Sequence, residues 1–97
     1  MRMLMKVRIP VDKGNTSIKD GTLPHVIMGS LERLKPESAY FCTEGGKRTA
    51  IIVFDFKDVS DMPSIAEPFF DQLNAEVTFT PVMSAEDLKL GLHKAAR

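Results

Sequence analysis

Thr49-Ala50-Ile51-Ile52-Val53-Phe54-Asp55-Phe56 is apolar at both parities of an extended chain, in which successive side chains point to opposite faces of a sheet. Such a strand needs cover on both sides. Ala50, Ile52, Phe54 and Phe56 can face helices of the same chain, whereas Ile51 and Val53 need a second layer that 97 residues are short of supplying. The stretch therefore predicts a strand at the centre of a sheet, with one face turned to the chain's own core and the other to a partner.

Before this strand, Glu44-Gly45-Gly46-Lys47 places together two glycines, the residue that adopts positive φ without strain, and predicts a tight hairpin. Ala39 to Glu44 then becomes an antiparallel neighbour. At the amino end, residues 2–9 alternate Met3, Met5, Val7 and Ile9 against Arg2, Leu4, Lys6 and Arg8, and Pro10 stops the strand. Gly14 and Asn15 signal a turn, and a helical pattern runs from about Thr16 to Leu34 with Ile18, Val26, Ile27, Leu31 and Leu34 as its stripe. Gly21 and Pro24 interrupt it. Because Ile18, Thr22 and Val26 keep one phase, the expectation is one bent helix rather than a restart at Thr22.

After the central strand, Ser60 or Asp61 caps a second helix, with Pro63 in its first turn, Met62, Ile65, Phe69 and Leu73 facing inward, and Pro68 in its interior. Asn74 closes that helix, and Glu76 to Val82 alternates Val77 and Phe79 against Thr78 and Thr80 as a fourth strand. Ser84-Ala85-Glu86-Asp87 has capping-box spacing and opens a short helix to about Lys94. The order strand, helix, strand, strand, helix, strand, plus a terminal helix, is the α+β, ferredoxin-like βαββαβ plan over a single domain, residues 1–97. Strands one and three take the centre of a four-stranded antiparallel sheet, with both main helices on one face. On the other face Leu4, Ile51 and Val53 form an apolar centre ringed by Arg2, Lys6, Arg8, Asp55, Thr78 and Thr80. That is the layout of an interface, so Leu4, Lys6, Ile51, Val53 and Asp55 are the expected contacts of a homodimer.

Composition narrows the partners. Thirteen basic and thirteen acidic residues leave no net charge to draw the chain to nucleic acid or an anionic membrane. The first strand has no aromatic for base stacking, and Phe54 and Phe56 have inward parity, which argues against an RNA-binding sheet. Cys42 is the lone cysteine, excluding an internal disulfide and a cysteine-cluster zinc site and fitting a reducing compartment, with cytoplasm as the expected location. The amino terminus lacks the uninterrupted apolar run of a signal peptide or membrane span.

The repeated strand-helix-strand order, the terminal helix and the two-faced central strand resemble the dimeric α/β-barrel superfamily of small ferredoxin-like proteins. Further stretches resemble a small branch of it without assigned activity: Ile9-Pro10-Val11 through Gly14-Asn15, Asp20-Gly21, Leu34-Lys35-Pro36-Glu37 with Ala39-Tyr40-Phe41, Ala66-Glu67-Pro68-Phe69-Phe70, and Pro81-Val82-Met83 with Ala85-Glu86-Asp87-Leu88. The resemblance implies a sheet-to-sheet dimer and leaves chemistry open, since the superfamily includes monooxygenases, lactone isomerases and haem-handling proteins. The asparagine, tryptophan and histidine set of its antibiotic-type and haem-degrading monooxygenases is incomplete, because the chain has no tryptophan.

Five polar residues are candidate ligand contacts. His25, beside Pro24, can reach a cleft between helix and sheet, or be solvated. Asp20, five residues earlier, forms a dyad with it only if the proline break turns the chain, and otherwise shapes the bend with Gly21. Glu67 shares a helix face with Asp71, the spacing of a carboxylate pair or of a solvated surface. Tyr40 and Arg48 flank the hairpin, where they can orient an anionic or aromatic ligand; the simpler role for Arg48 is an ion pair with Glu44 across the hairpin. His93 has no assigned role, Cys42 reads as a buried or half-buried strand residue, and Met3 and Met5 read as packing. No metal or cofactor is expected. The functional expectation is a homodimer binding a small organic ligand between helices and sheet, possible as a small cofactor-independent enzyme. The alternative is a non-catalytic dimeric interaction or structural module, favoured if Phe54, Phe69 and Phe70 pack the cleft shut.

Overall fold

In the computed structural model, which describes residues 1–96, the apolar stretch lies in a strand, β3 (Lys47–Asp55), at the centre of the sheet. Its neighbours are β1 (Arg2–Ile9) and β2 (Ser38–Glu44), and β4 (Glu76–Pro81) borders β1, giving the order β2-β3-β1-β4. Every pairing is antiparallel. Gly45 and Gly46, with φ of 61° and 77°, make the hairpin between β2 and β3 that a side chain would strain. The helices are α1 (Val11–Asp20), α2 (Thr22–Leu34), α3 (Met62–Leu73) and α4 (Ala85–Ala95). This is the α+β, ferredoxin-like arrangement with a C-terminal helix. Among the described residues no helix is long and apolar enough to cross a membrane.

Strand register sorts the side chains as alternation requires. Met5 stands opposite Ile52 on one side and Phe79 on the other, while Leu4 stands opposite Val53 and Thr80. Met3, Met5, Val7, Ile9, Ala50, Ile52 and Phe54 are buried against α2 and α3, which contribute Val26, Ile65, Phe69 and Leu73. Each large side chain so buried stabilises the fold by roughly 1.5–3 kcal/mol. Phe54 and Phe56 meet edge to face, with ring centroids 5.9 Å apart.

The expected bent helix is two helices, and the first begins earlier, directly after Pro10. Gly14 and Asn15 therefore lie inside α1 rather than in a turn. Gly14 lets Arg48 lie close: a Cβ there would sit 2.5 Å from Nη1 of Arg48, and the guanidinium would have to shift. At Gly21 the chain turns left-handed, with φ 84°, and α2 restarts at Thr22 with Pro24 in its first turn, where a missing N–H costs nothing. Asp20 Oδ1 accepts the Thr22 N–H at 2.9 Å, and hydrogen bonding from the Thr22 side chain, with that backbone bond after it, holds its carboxyl below the ordinary aspartate pKa. The break decides what is buried. Ser17 is 1 % exposed and Val26 5 %. Nine residues at 100° each would put them about 180° apart on an unbroken helix. Ile18, expected on the inward stripe, is instead 49 % exposed.

Pro68 in α3 removes the N–H that would reach the Ser64 carbonyl one turn back. Arg33 of α2 replaces it: Nη1 donates to Ser64 O at 2.9 Å and Nη2 to Ser64 Oγ at 2.7 Å. The proline thus creates the acceptor by which the two helices are joined. Replacing Arg33→Met is expected to destabilise the protein by about 1 kcal/mol, and by less when Pro68→Ala restores the helical N–H. Urea unfolding of the four variants of this double-mutant cycle checks it; equal costs in both backgrounds would show that Arg33 and Pro68 act independently.

Candidate functional site

Alongside α2, facing the hairpin end of β2 and β3, lies an open cleft of about 570 Å³. Leu23, Ile27 and Leu31 of α2 form one wall at successive helical turns, and Ile9, Phe41 and Ala50 form the sheet side, with Arg48, Thr49 and Cys42 as polar members. Leu23, Ile27 and Leu31 are only half-buried. Met28 and Phe41 line the mouth and are 63 % and 55 % exposed. A second hollow of about 400 Å³ mixes apolar lining from Leu34, Phe56 and Ile65 with charges of both signs, among them Arg33, Lys57 and Asp61.

Of the five candidate contacts, the structure brings Arg48 to the cleft. Arg48 has the helix-side parity of Ala50 and Ile52, so its guanidinium reaches α1 and donates to Val11 O at 3.4 Å and Asn15 Oδ1 at 3.0 Å. It does not pair with Glu44, as expected, because Glu44 lies on the opposite face, where it accepts from Lys6 at 3.1 Å. Tyr40 also lies on that opposite face, beside Ile51. His25 is exposed and outside the cleft lining although its neighbour Pro24 belongs to it. Asp20 turns to Thr22 rather than to His25. Glu67 and Asp71 are exposed on α3. Cys42 is exposed rather than half-buried. Among the described residues no three His, Cys, Asp or Glu side chains gather as a metal site. The cleft's apolar wall was missed because Ile27 and Leu31 read as core; the signal was Leu23 and Met28 beside them, which widen the apolar arc beyond what the sheet covers.

Among the described residues nothing covers the face of the sheet away from the helices. Its central rows run Tyr40, Ile51, Lys6, Thr78 and Ser38, Val53, Leu4, Thr80. Leu4, Ile51 and Val53 are half-buried there. Around them the charges pair within the chain: Arg2 with Glu37, Lys6 with Glu44, Arg8 and Lys47 with Glu76, and the terminal amine with Asp55. Such exposed, solvent-screened pairs add little stability, but they leave the face close to neutral. Arg8 Nε is buried without a hydrogen bond among the described residues, 4.0 Å from Glu44 Oε1.

Beyond β4, α4 has no buried residue and exposes Leu88, Leu90 and Leu92. The radius of gyration, 15.4 Å, exceeds the roughly 12.5 Å of a compact chain of this size. Its start is fixed by a capping box, Ser84 N–H to Asp87 Oδ2 at 3.0 Å and Asp87 N–H to Ser84 Oγ at 3.1 Å, and by an ion pair from Arg2. The Ser84 backbone bond holds the Asp87 carboxyl below its ordinary pKa. A carboxyl depressed in this way contributes stability above its unfolded pKa and loses it as pH falls through the folded value. The start of α4 is therefore expected to fray in acid, below the ordinary aspartate range. NMR titration should show the Asp87 carboxyl and the Ser84 amide moving together; an Asp87 midpoint at the unperturbed value would contradict the cap.

No family profile and no curated protein sequence matches the chain. Among solved structures, the de novo designed protein Ferredog-Diesel superposes with a TM-score of 0.50 at 8 % identity, covering 84 % of this chain and 85 % of the design. A protein of Deinococcus radiodurans, provisionally described as an antibiotic biosynthesis monooxygenase, gives a TM-score of 0.46 at 10 % identity over 88 % of this chain and 95 % of its own. The likeness to the designed protein is one of fold alone.

Proposed function

We propose that this chain is a single-domain homodimer, paired through the open sheet face, that binds an apolar small molecule in the cleft beside α2. The reading places it in a reducing compartment such as the cytoplasm. The observation that carries the ligand half is the cleft itself: about 570 Å³ with an almost wholly apolar lining, within the 300–1,000 Å³ usual for small-molecule sites. The residues whose packing would favour the non-ligand alternative lie elsewhere: Phe54 and Phe69 are spent in the core, and Phe70 is 43 % exposed. No carboxylate or histidine lines the cleft, so the reading is binding rather than acid-base catalysis. The dimer half is supported by Leu4, Ile51 and Val53, an apolar centre inside a rim of self-paired charges.

The ligand half is tested with 8-anilinonaphthalene-1-sulfonate, whose emission rises in apolar surroundings. The wild-type protein is expected to bind it at micromolar concentration, and Leu31→Trp, which fills the cleft, to weaken binding about tenfold or more, a loss of about 1.4 kcal/mol, with the unfolding midpoint unchanged. Absence of binding by the wild type would remove this reading. For the dimer half, Val53→Glu places an unpaired carboxylate in the interface centre and should give monomer or aggregate in light scattering. A variant that kept the mass of the wild-type assembly would show that the sheet face is not the interface.

A further inference from the structure

Arg48 is the one permanent charge lining the cleft, and among the described residues no carboxylate pairs with it. Arg2, Lys6, Arg8 and Lys47, on the opposite face of the sheet, all have carboxylate partners. The two oxygens that Arg48 reaches, Val11 O and Asn15 Oδ1, are neutral. They occupy one N–H on each terminal nitrogen and leave the other donors of its five unassigned. Arg48 is half-buried beside apolar walls, and an anion entering the cleft meets its free donors without competition from a carboxylate of the lining.

We infer that the cleft takes an amphiphile with one anionic headgroup, a carboxylate or a group like it, set at Arg48, with its apolar body along Leu23, Ile27 and Leu31. This inference rests on the cleft being a ligand site and adds the chemical class of the ligand. Arg48 suits the role because its planar fork offers a carboxylate two parallel donors, while its bonds to α1 hold the guanidinium in place before the ligand arrives.

The test compares decanoate with decanol, which share a chain and differ in headgroup charge, by isothermal titration of the wild-type protein at neutral pH below the micellar concentration. Decanoate is expected to bind about tenfold or more tightly than decanol, in keeping with charge-assisted hydrogen bonds, and added salt should weaken decanoate alone. Arg48→Gln, checked for intact folding by circular dichroism, should bring decanoate to the level of decanol, and Arg48→Lys should recover part of the difference. Equal affinity of the wild type for the two probes would overturn the anionic class while leaving the apolar cleft as a binding site. Binding of neither probe would overturn the cleft reading and the inference with it. The wild-type comparison decides even if Arg48→Gln unfolds.

Discussion

A four-stranded sheet with apolar side chains on both faces and helices for only one of them is the constraint on which this molecule depends. Burial of Met5, Val7, Ile52, Phe54, Phe69 and Leu73 on the helix side supplies the stability, and strand alternation then leaves Leu4, Ile51 and Val53 on the other side. Moving them inward would require a one-residue slip that turned the whole core outward. The open face is therefore a fixed consequence of the core. Its charges are paired among themselves, so two copies can approach without meeting a field of like charge, whereas an anionic polymer finds little to attract it.

The cleft has its origin in the other half of the structure, in the break at Gly21. α1 lies against the sheet with Ser17 buried and Gly14 beneath Arg48, whereas α2 packs through Val26 and is joined to α3 by the Arg33 to Ser64 bonds. With the two helices anchored separately, Leu23, Ile27 and Leu31 stand over the edge of the sheet without filling the space toward Phe41. Two residues that commonly interrupt helices act here in different ways. Gly21 permits the change of direction, while Pro68 leaves a carbonyl free for the helix beside it.

Much of the fold was legible because period-two alternation and glycine punctuation are local signals. Met3 to Ile9, the Gly45-Gly46 hairpin, the α3 stripe and the Ser84 capping box all lie where the sequence placed them. The start of α1 was not legible, because Gly14 and Asn15 carry the signature of a turn and their real role depends on Arg48, 34 positions away in the chain. The phase of Ile18, Thr22 and Val26 suggested one helix because phase is informative only while the helix is unbroken. Arg48 and Glu44 were paired across the hairpin on spacing alone, although opposite parities put them on opposite faces. Of the residues lining the candidate cleft, Arg48 alone carries a sequence signal for a ligand contact, since the walls are apolar residues that resemble core until the space beside them is seen.

The central claim is that a second copy of this chain covers the open sheet face. Sedimentation equilibrium of the wild-type protein, from micromolar concentration downward, tests it most directly. The account predicts the mass of two chains at micromolar concentration, with dissociation to one on sufficient dilution. A single chain's mass throughout, with the protein folded, would contradict it and leave Leu4, Ile51 and Val53 as an exposed face without a partner.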